Sequence, residues 1–123
     1  MNKLSPQPFY EKVNDPELRA LARLLYKRMT PGDAGSKFSI IHDLKDMMQD
    51  DIVHFMYSKA SGEDRFAFGT RCPELIQKYH GSPKEERTKS SEPTTFNYFD
   101  LQRRAWRSFR PENIIYVDKN YTI

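Results

Sequence analysis

The sequence predicts an α+β protein, mainly β, in which two short helices precede a small closed β-barrel of five strands. Three observations predict it. The hydrophobic period changes from helical to alternating at Ile52. Five short alternating segments then follow before Asp118, enough for a small barrel and too few for a sandwich. The chain also builds its core from few residues: hydrophobic residues are only 37% of the 123, yet eight Phe, seven Tyr and one Trp are among them. Each such ring buries roughly 150–250 Å², so a mean hydropathy of −0.82 is compatible with a compact barrel carrying polar appendages.

The elements follow in order. Residues 1–13 hold two prolines and no clear period, which reads as a loosely held arm. Asn14-Asp15-Pro16-Glu17 is a helix start, with a capping side chain, proline in the first turn and an acid at the positive end of the dipole. Leu18, Leu21, Ala22, Leu25 and Met29 follow at helical spacing, and Thr30-Pro31-Gly32 ends the run. A loop, Asp33 to Lys37, leads to a second apolar stripe of Ile40, Ile41, Leu44, Met47 and Met48. Asp50 and Asp51 would sit unfavourably at a negative helix end, so this helix stops before them.

Val53, Phe55 and Tyr57 then alternate with His54, Met56 and Ser58, a strand pattern. Lys59 to Glu63 is a turn with Gly62 free to take positive φ. The return strand places Phe66, Phe68 and Thr70 on one face and Arg65, Ala67 and Gly69 on the other. A helical turn opens at Cys72-Pro73-Glu74-Leu75-Ile76 and ends near Gly81. Residues 81–95 carry no large apolar side chain and read as a mobile loop. Order returns at Phe96–Asp100, a strand, then a turn through Leu101–Arg104, a strand over Ala105–Arg110, one helical turn at Pro111–Asn113 and a last strand from Ile114 to Val117. The divisions are thus 1–50 for the arm and helices, 51–118 for the barrel and 119–123 for a tail.

Composition narrows the function. A single cysteine, Cys72, rules out an internal disulfide, and small secreted domains usually need such staples. The N-terminus lacks an apolar signal region, and no run reaches membrane-spanning length. A cytoplasmic, non-membrane protein is the expectation. The net charge of +3 is uneven: residues 1–51 balance eight basic against eight acidic side chains, whereas 52–123 carry twelve against nine. Such an excess permits nucleic-acid or phosphate binding.

The sharpest candidate site is Arg103, Arg104, Arg107 and Arg110 with Trp106, all within eight residues. Guanidinium forks match phosphate oxygens and an aromatic face stacks a base, so together they suit nucleic acid or a nucleotide. Alternation puts Arg107 with Phe109 and Trp106 with Ser108 and Arg110, and one of these faces must look into the core. Arg65 and Arg71, at the two ends of one strand, can join the same basic face or be ordinary surface arginines. Tyr57, Phe68 and Tyr98 at strand spacing read as core before they read as a stacking platform. His42 and Asp46 lie one helical turn apart, but a zinc site needs three or four ligands, so they read as solvated helix face. His54, His80 and Cys72 have no catalytic partner at a telling spacing, and no catalytic or phosphate-loop motif occurs. No enzyme, metal or cofactor is expected.

Ile52-Val53-His54-Phe55-Met56-Tyr57, the Gly62 turn and Arg65-Phe66-Ala67-Phe68-Gly69-Thr70 resemble the opening hairpin of WYL-like domains, small barrels of the Sm-like type found in bacterial regulators and phage proteins. Tyr98-Phe99-Asp100, Trp106-Arg107-Ser108-Phe109-Arg110 and Ile114 after a three-residue spacer are similar to the closing block of that group, in particular of its stand-alone phage and Bacteroidetes type of unknown function. The resemblance covers about residues 51–118. Where the regulators carry the Trp-Tyr-Leu triplet this chain has Thr94-Thr95-Phe96, so the resemblance implies the Sm-like fold and not a pocket built on that triplet. The reading is a non-catalytic binding module for nucleic acid or a nucleotide. A protein–protein adaptor or phage-type inhibitor is the alternative, and under either view open strand edges allow a homo-oligomer.

Overall fold

The structure is a computed structural model that describes residues 9–80 and 92–119. A 3-10 turn, Phe9–Lys12, leads into α1 (Pro16–Arg28) and α2 (Pro31–Met48). The strands are β1 (Val53–Ser58), β2 (Asp64–Thr70), β3 (Phe96–Asp100), β4 (Ala105–Phe109) and β5 (Ile114–Asp118). Between β2 and β3 comes α3 (Pro73–His80), and the 3-10 turn Pro111–Asn113 joins β4 to β5. Of the predicted arm, mobile loop and tail, residues 1–8, 81–91 and 120–123 lie outside the described residues.

Helix α1 begins where its cap predicts: the Asp15 carboxylate accepts from the backbone N–H of Glu17 at 2.9 Å and of Leu18 at 3.1 Å. Its buried stripe is Leu18, Leu21, Ala22 and Leu25. The loop expected at Asp33–Lys37 is instead helix. Thr30 caps α2 through its hydroxyl, which accepts from Asp33 N–H at 3.2 Å, with Pro31 in the first turn. This repeats the start signal of α1, masked in the sequence by Gly32 and Gly35, each costing about 1 kcal/mol in a helix. Burial of Ala34 and packing of the 18-residue helix along its length offset that cost.

The five strands form one antiparallel sheet in the order β4-β3-β2-β1-β5. It is rolled but not closed: among the described residues β4 and β5 are its two edges and share no ladder. A flat sheet would hold β1 and β4 about 14 Å apart across three spacings. Here the ring of Tyr57 on β1 stacks on that of Phe109 on β4 at 4.6 Å. The roll stops short of closure because the chain crosses from β4 to β5 through Pro111–Asn113, and α1 and α2 pack on that turn while α2 also covers β5. One apolar cluster spans helices and sheet, from Leu21, Ile41, Leu44 and Met48 to Phe55, Tyr57, Phe96, Tyr98, Phe109 and Ile114.

Strand β2 faces the core with its small residues. Ala67 is fully buried, and a Cβ on Gly69 would come within 2.5 Å of the Tyr98 ring. Phe66 and Phe68 therefore point away from the core, Phe66 with 55% of its surface exposed and Phe68 half-buried against His54 at 4.7 Å. Tyr57 and Tyr98 are core residues; Phe68 is not.

Candidate basic cleft

At the β1–β2 turn end of the rolled sheet lies a cleft of about 780 Å³, bounded by Tyr57 to Ala60, Arg65, Thr95, Arg103, Arg107 to Arg110 and Asn113. Five of these residues are cationic (Lys59, Arg65, Arg103, Arg107 and Arg110) and none is a carboxylate. Strand alternation explains the grouping. Tyr57 pairs with Arg65 and Tyr98 with Arg107, so both arginines continue the inward face of their strands beyond the aromatic core.

The back of the site is Asp100, which is fully buried. Its carboxylate accepts from Arg65 at 2.9 Å and lies 3.7 Å from Arg107 Nε. Its other oxygen accepts from the backbone N–H of Gln102 at 2.9 Å and Arg103 at 3.0 Å, shaping the β3–β4 turn. Beside it the hydroxyls of Tyr57 and Tyr98 share a hydrogen bond of 2.8 Å. Burial, together with Tyr57, pushes the Tyr98 phenol far up, so it stays protonated. Burial works against the Arg65 charge, but Asp100 and the Tyr98 hydroxyl outweigh it and raise its pKa. Arg65 Nε and Arg107 Nε are buried without a hydrogen-bond partner among the described residues, and such a group costs about 1–3 kcal/mol unless something satisfies it.

The arginines expected to act together divide. Arg65, Arg103, Arg107 and Arg110 meet in the cleft. Arg104 stands in the β3–β4 turn with φ 54°, exposed and outside the cleft lining. Trp106 is half-buried on the outer face, edge-on to Phe99 at 5.8 Å. Arg107 with Phe109 is thus the inward pair and Trp106 with Ser108 and Arg110 the outward one, although Ser108 and Arg110 still reach the cleft rim. Arg71 lies elsewhere, in a bidentate pair with Glu17 of α1 at 2.7 Å and 2.7 Å, its guanidinium 4.1 Å over Phe96 and its Nε on the Asn97 carbonyl. Sequence spacing missed Lys59 and Asp100, which reach the site only through the roll of the sheet. The turn position of Lys59 and the short side chain closing a strand at Asp100 were the available signals.

Among the described residues no group of three or more His, Cys, Asp or Glu could hold a metal ion. His42 lies against Asp43 at 3.5 Å, and Cys72 is buried with its thiol 3.3 Å from Glu74. No described helix is long and apolar enough to cross a membrane.

Comparison with curated proteins and with solved structures returns no match. A family profile does match, over residues 41–115, more than half of the chain, and its description is WYL_2, Sm-like SH3 beta-barrel fold. The match begins inside α2 and runs to the first residues of β5, taking in the hairpin, Asp100 and the whole arginine segment. On that span the chain belongs to the WYL_2 family of Sm-like small β folds.

Proposed function

We propose that the protein is a non-catalytic binding module that takes the phosphates of a nucleic acid or nucleotide in the basic cleft. One observation carries this reading: five cationic side chains line one cleft whose lining holds no carboxylate. Asp100 holds Arg65 and Arg107, Glu63 pairs with Lys59 at 3.2 Å and Glu112 lies 3.9 Å from Arg110, so five cations meet three acids and the site stays net positive. Arginine forks held in this way suit phosphate oxygens. Membership of a small Sm-like fold family fits a binding module.

Fluorescence anisotropy with labelled single-stranded DNA and RNA tests it. Three phosphate contacts to a single strand lower affinity about twentyfold between about 50 and 200 mM salt, through counterion release. An R103A/R107A/R110A variant loses binding, whereas Arg71→Ala, outside the cleft, keeps it. Failure of the unmodified protein to bind DNA, RNA or a mononucleotide at the lower salt refutes the reading.

A second reading, a protein adaptor or a homo-oligomer, is supported by the β4 edge of the sheet, which offers backbone groups for strand addition. Such an association responds weakly to salt, so the same titration separates the two.

A further inference from the structure

The outer face of the sheet carries an aromatic row that the cleft does not use. Phe66 on β2 and Tyr116 on β5 are 55% and 41% exposed, and both pair in register with Met56 of β1 between them. Two strand spacings place their Cα atoms about 10 Å apart. Phe66 and Tyr116 are two of the three exposed large hydrophobics on the described surface, and they stand on one face. In the next row the imidazole of His54 lies on the ring of Phe68 at 4.7 Å and 21°, so this face already stacks a flat nitrogen heterocycle on a phenylalanine.

The row is continuous with the cleft. Ser58 follows Met56 on the outward side of β1, and Ser58 also lines the cleft. Arg65, in the cleft, immediately precedes Phe66 in the chain. A nucleic-acid strand leaving the five cations over Ser58 passes its register partner Asp64 and then meets Met56, Phe66 and Tyr116. Asp118, in register with His54 and 3.6 Å from its Nδ1, marks the far end of the face.

We propose that Phe66 and Tyr116 form a base-stacking platform, and that the ligand is a single-stranded polynucleotide with phosphates in the cleft and bases on the outer face. Paired bases hide their faces within a duplex, whereas unpaired bases offer them to exposed rings. This inference rests on the phosphate-binding reading of the cleft and adds the ligand's class to it.

The test compares labelled oligothymidylate with an abasic strand of equal length and charge, each titrated with the full chain at about 50 mM salt. Stacking of one or two bases makes the thymidine strand bind at least about tenfold tighter than the abasic one. An F66A/Y116A variant drops to the abasic affinity without changing the abasic affinity itself, which also shows that its cleft is intact. Phe66→Trp keeps or strengthens the preference. Equal affinity of the unmodified protein for the two strands overturns the platform and leaves phosphate binding standing. A preference that survives the double variant also overturns it. So does a self-association, seen by sedimentation, that the double variant abolishes, since a second copy then covers the row. No binding of either strand breaks the phosphate reading, and the platform with it.

Discussion

Glu17 and Asp100 both hold arginines, and they do so to different ends. At the junction of α1 with the sheet, Glu17 takes a bidentate fork from Arg71 and an ion pair from Lys45 at 2.9 Å, while Asp15 takes Lys45 at 2.5 Å. Two acids there meet two bases, and the cluster is neutral. At the β1–β2 turn end, Asp100 alone faces Arg65 and Arg107, with Lys59, Arg103 and Arg110 around the same cleft. A balanced cluster joins elements and has no charge left for a ligand. An unbalanced one holds its arginines in place and still presents positive charge. The residue types are the same; the local charge count is what differs.

The contrast is broken most severely at Asp100. In Asp100→Asn the half-buried Arg65 loses its counter-ion, and the β3–β4 turn keeps only a weaker amide acceptor. Removing one partner of a buried pair costs about 3–5 kcal/mol, so the urea midpoint should fall steeply. An unchanged midpoint would show that Asp100 does not position the cleft.

The neutral cluster is probed by acid. Burial raises the Glu17 carboxyl, but Arg71 and Lys45 outweigh it and hold it below the ordinary carboxylate range. Burial likewise opposes Asp15, and its hydrogen bonds from Lys45, Leu18 and Glu17 win. A depressed folded pKa means stability that is present above the unfolded value, about 4, and lost as pH falls through the folded one. Urea midpoints should therefore hold from pH 7 to 5 and fall below pH 4, and Glu17→Gln should start lower and fall less. An equally steep fall in that variant would remove the cluster as the cause.

The smallest effect is expected at Arg104, whose φ of 54° places it in the left-handed region. A non-glycine residue there is strained by about 1–2 kcal/mol. Arg104→Gly relieves that strain but loosens the unfolded chain, so thermal unfolding should show a gain of under about 1 kcal/mol. Because Arg104 lies outside the cleft lining, oligonucleotide affinity should change by less than about twofold, the loss of one exposed, screened charge. A large loss of affinity would extend the site into the turn.

Most elements were legible in the chain. The Asp15–Pro16 cap, the alternation of β1, the Gly62 turn with φ 95° and the five strands are local signals, and local signals are what a sequence carries. The start of α2 was missed because Gly32 and Gly35 weigh against a helix, and only packing along the sheet edge outweighs them. The aromatic residues of β2 suggest an inward face, yet the Tyr98 ring over Gly69 takes that space and turns Phe66 outward. Four of the seven predicted site residues meet in the cleft because they share the inward side of rolled strands or their rims. Arg71, two residues beyond Gly69, is drawn off by Glu17, more than fifty positions earlier.

By itself the sequence determined most of the elements, the change of period at Ile52, the basic excess of the second half and the arginine segment within the family match, since each depends on neighbours within a few residues. Tertiary structure alone decided that the sheet stays open, which arginines pair with acids elsewhere and which line the cleft, and that two aromatics stand exposed side by side. Those outcomes depend on distances between strands far apart in the chain, and spacing along the sequence does not encode them.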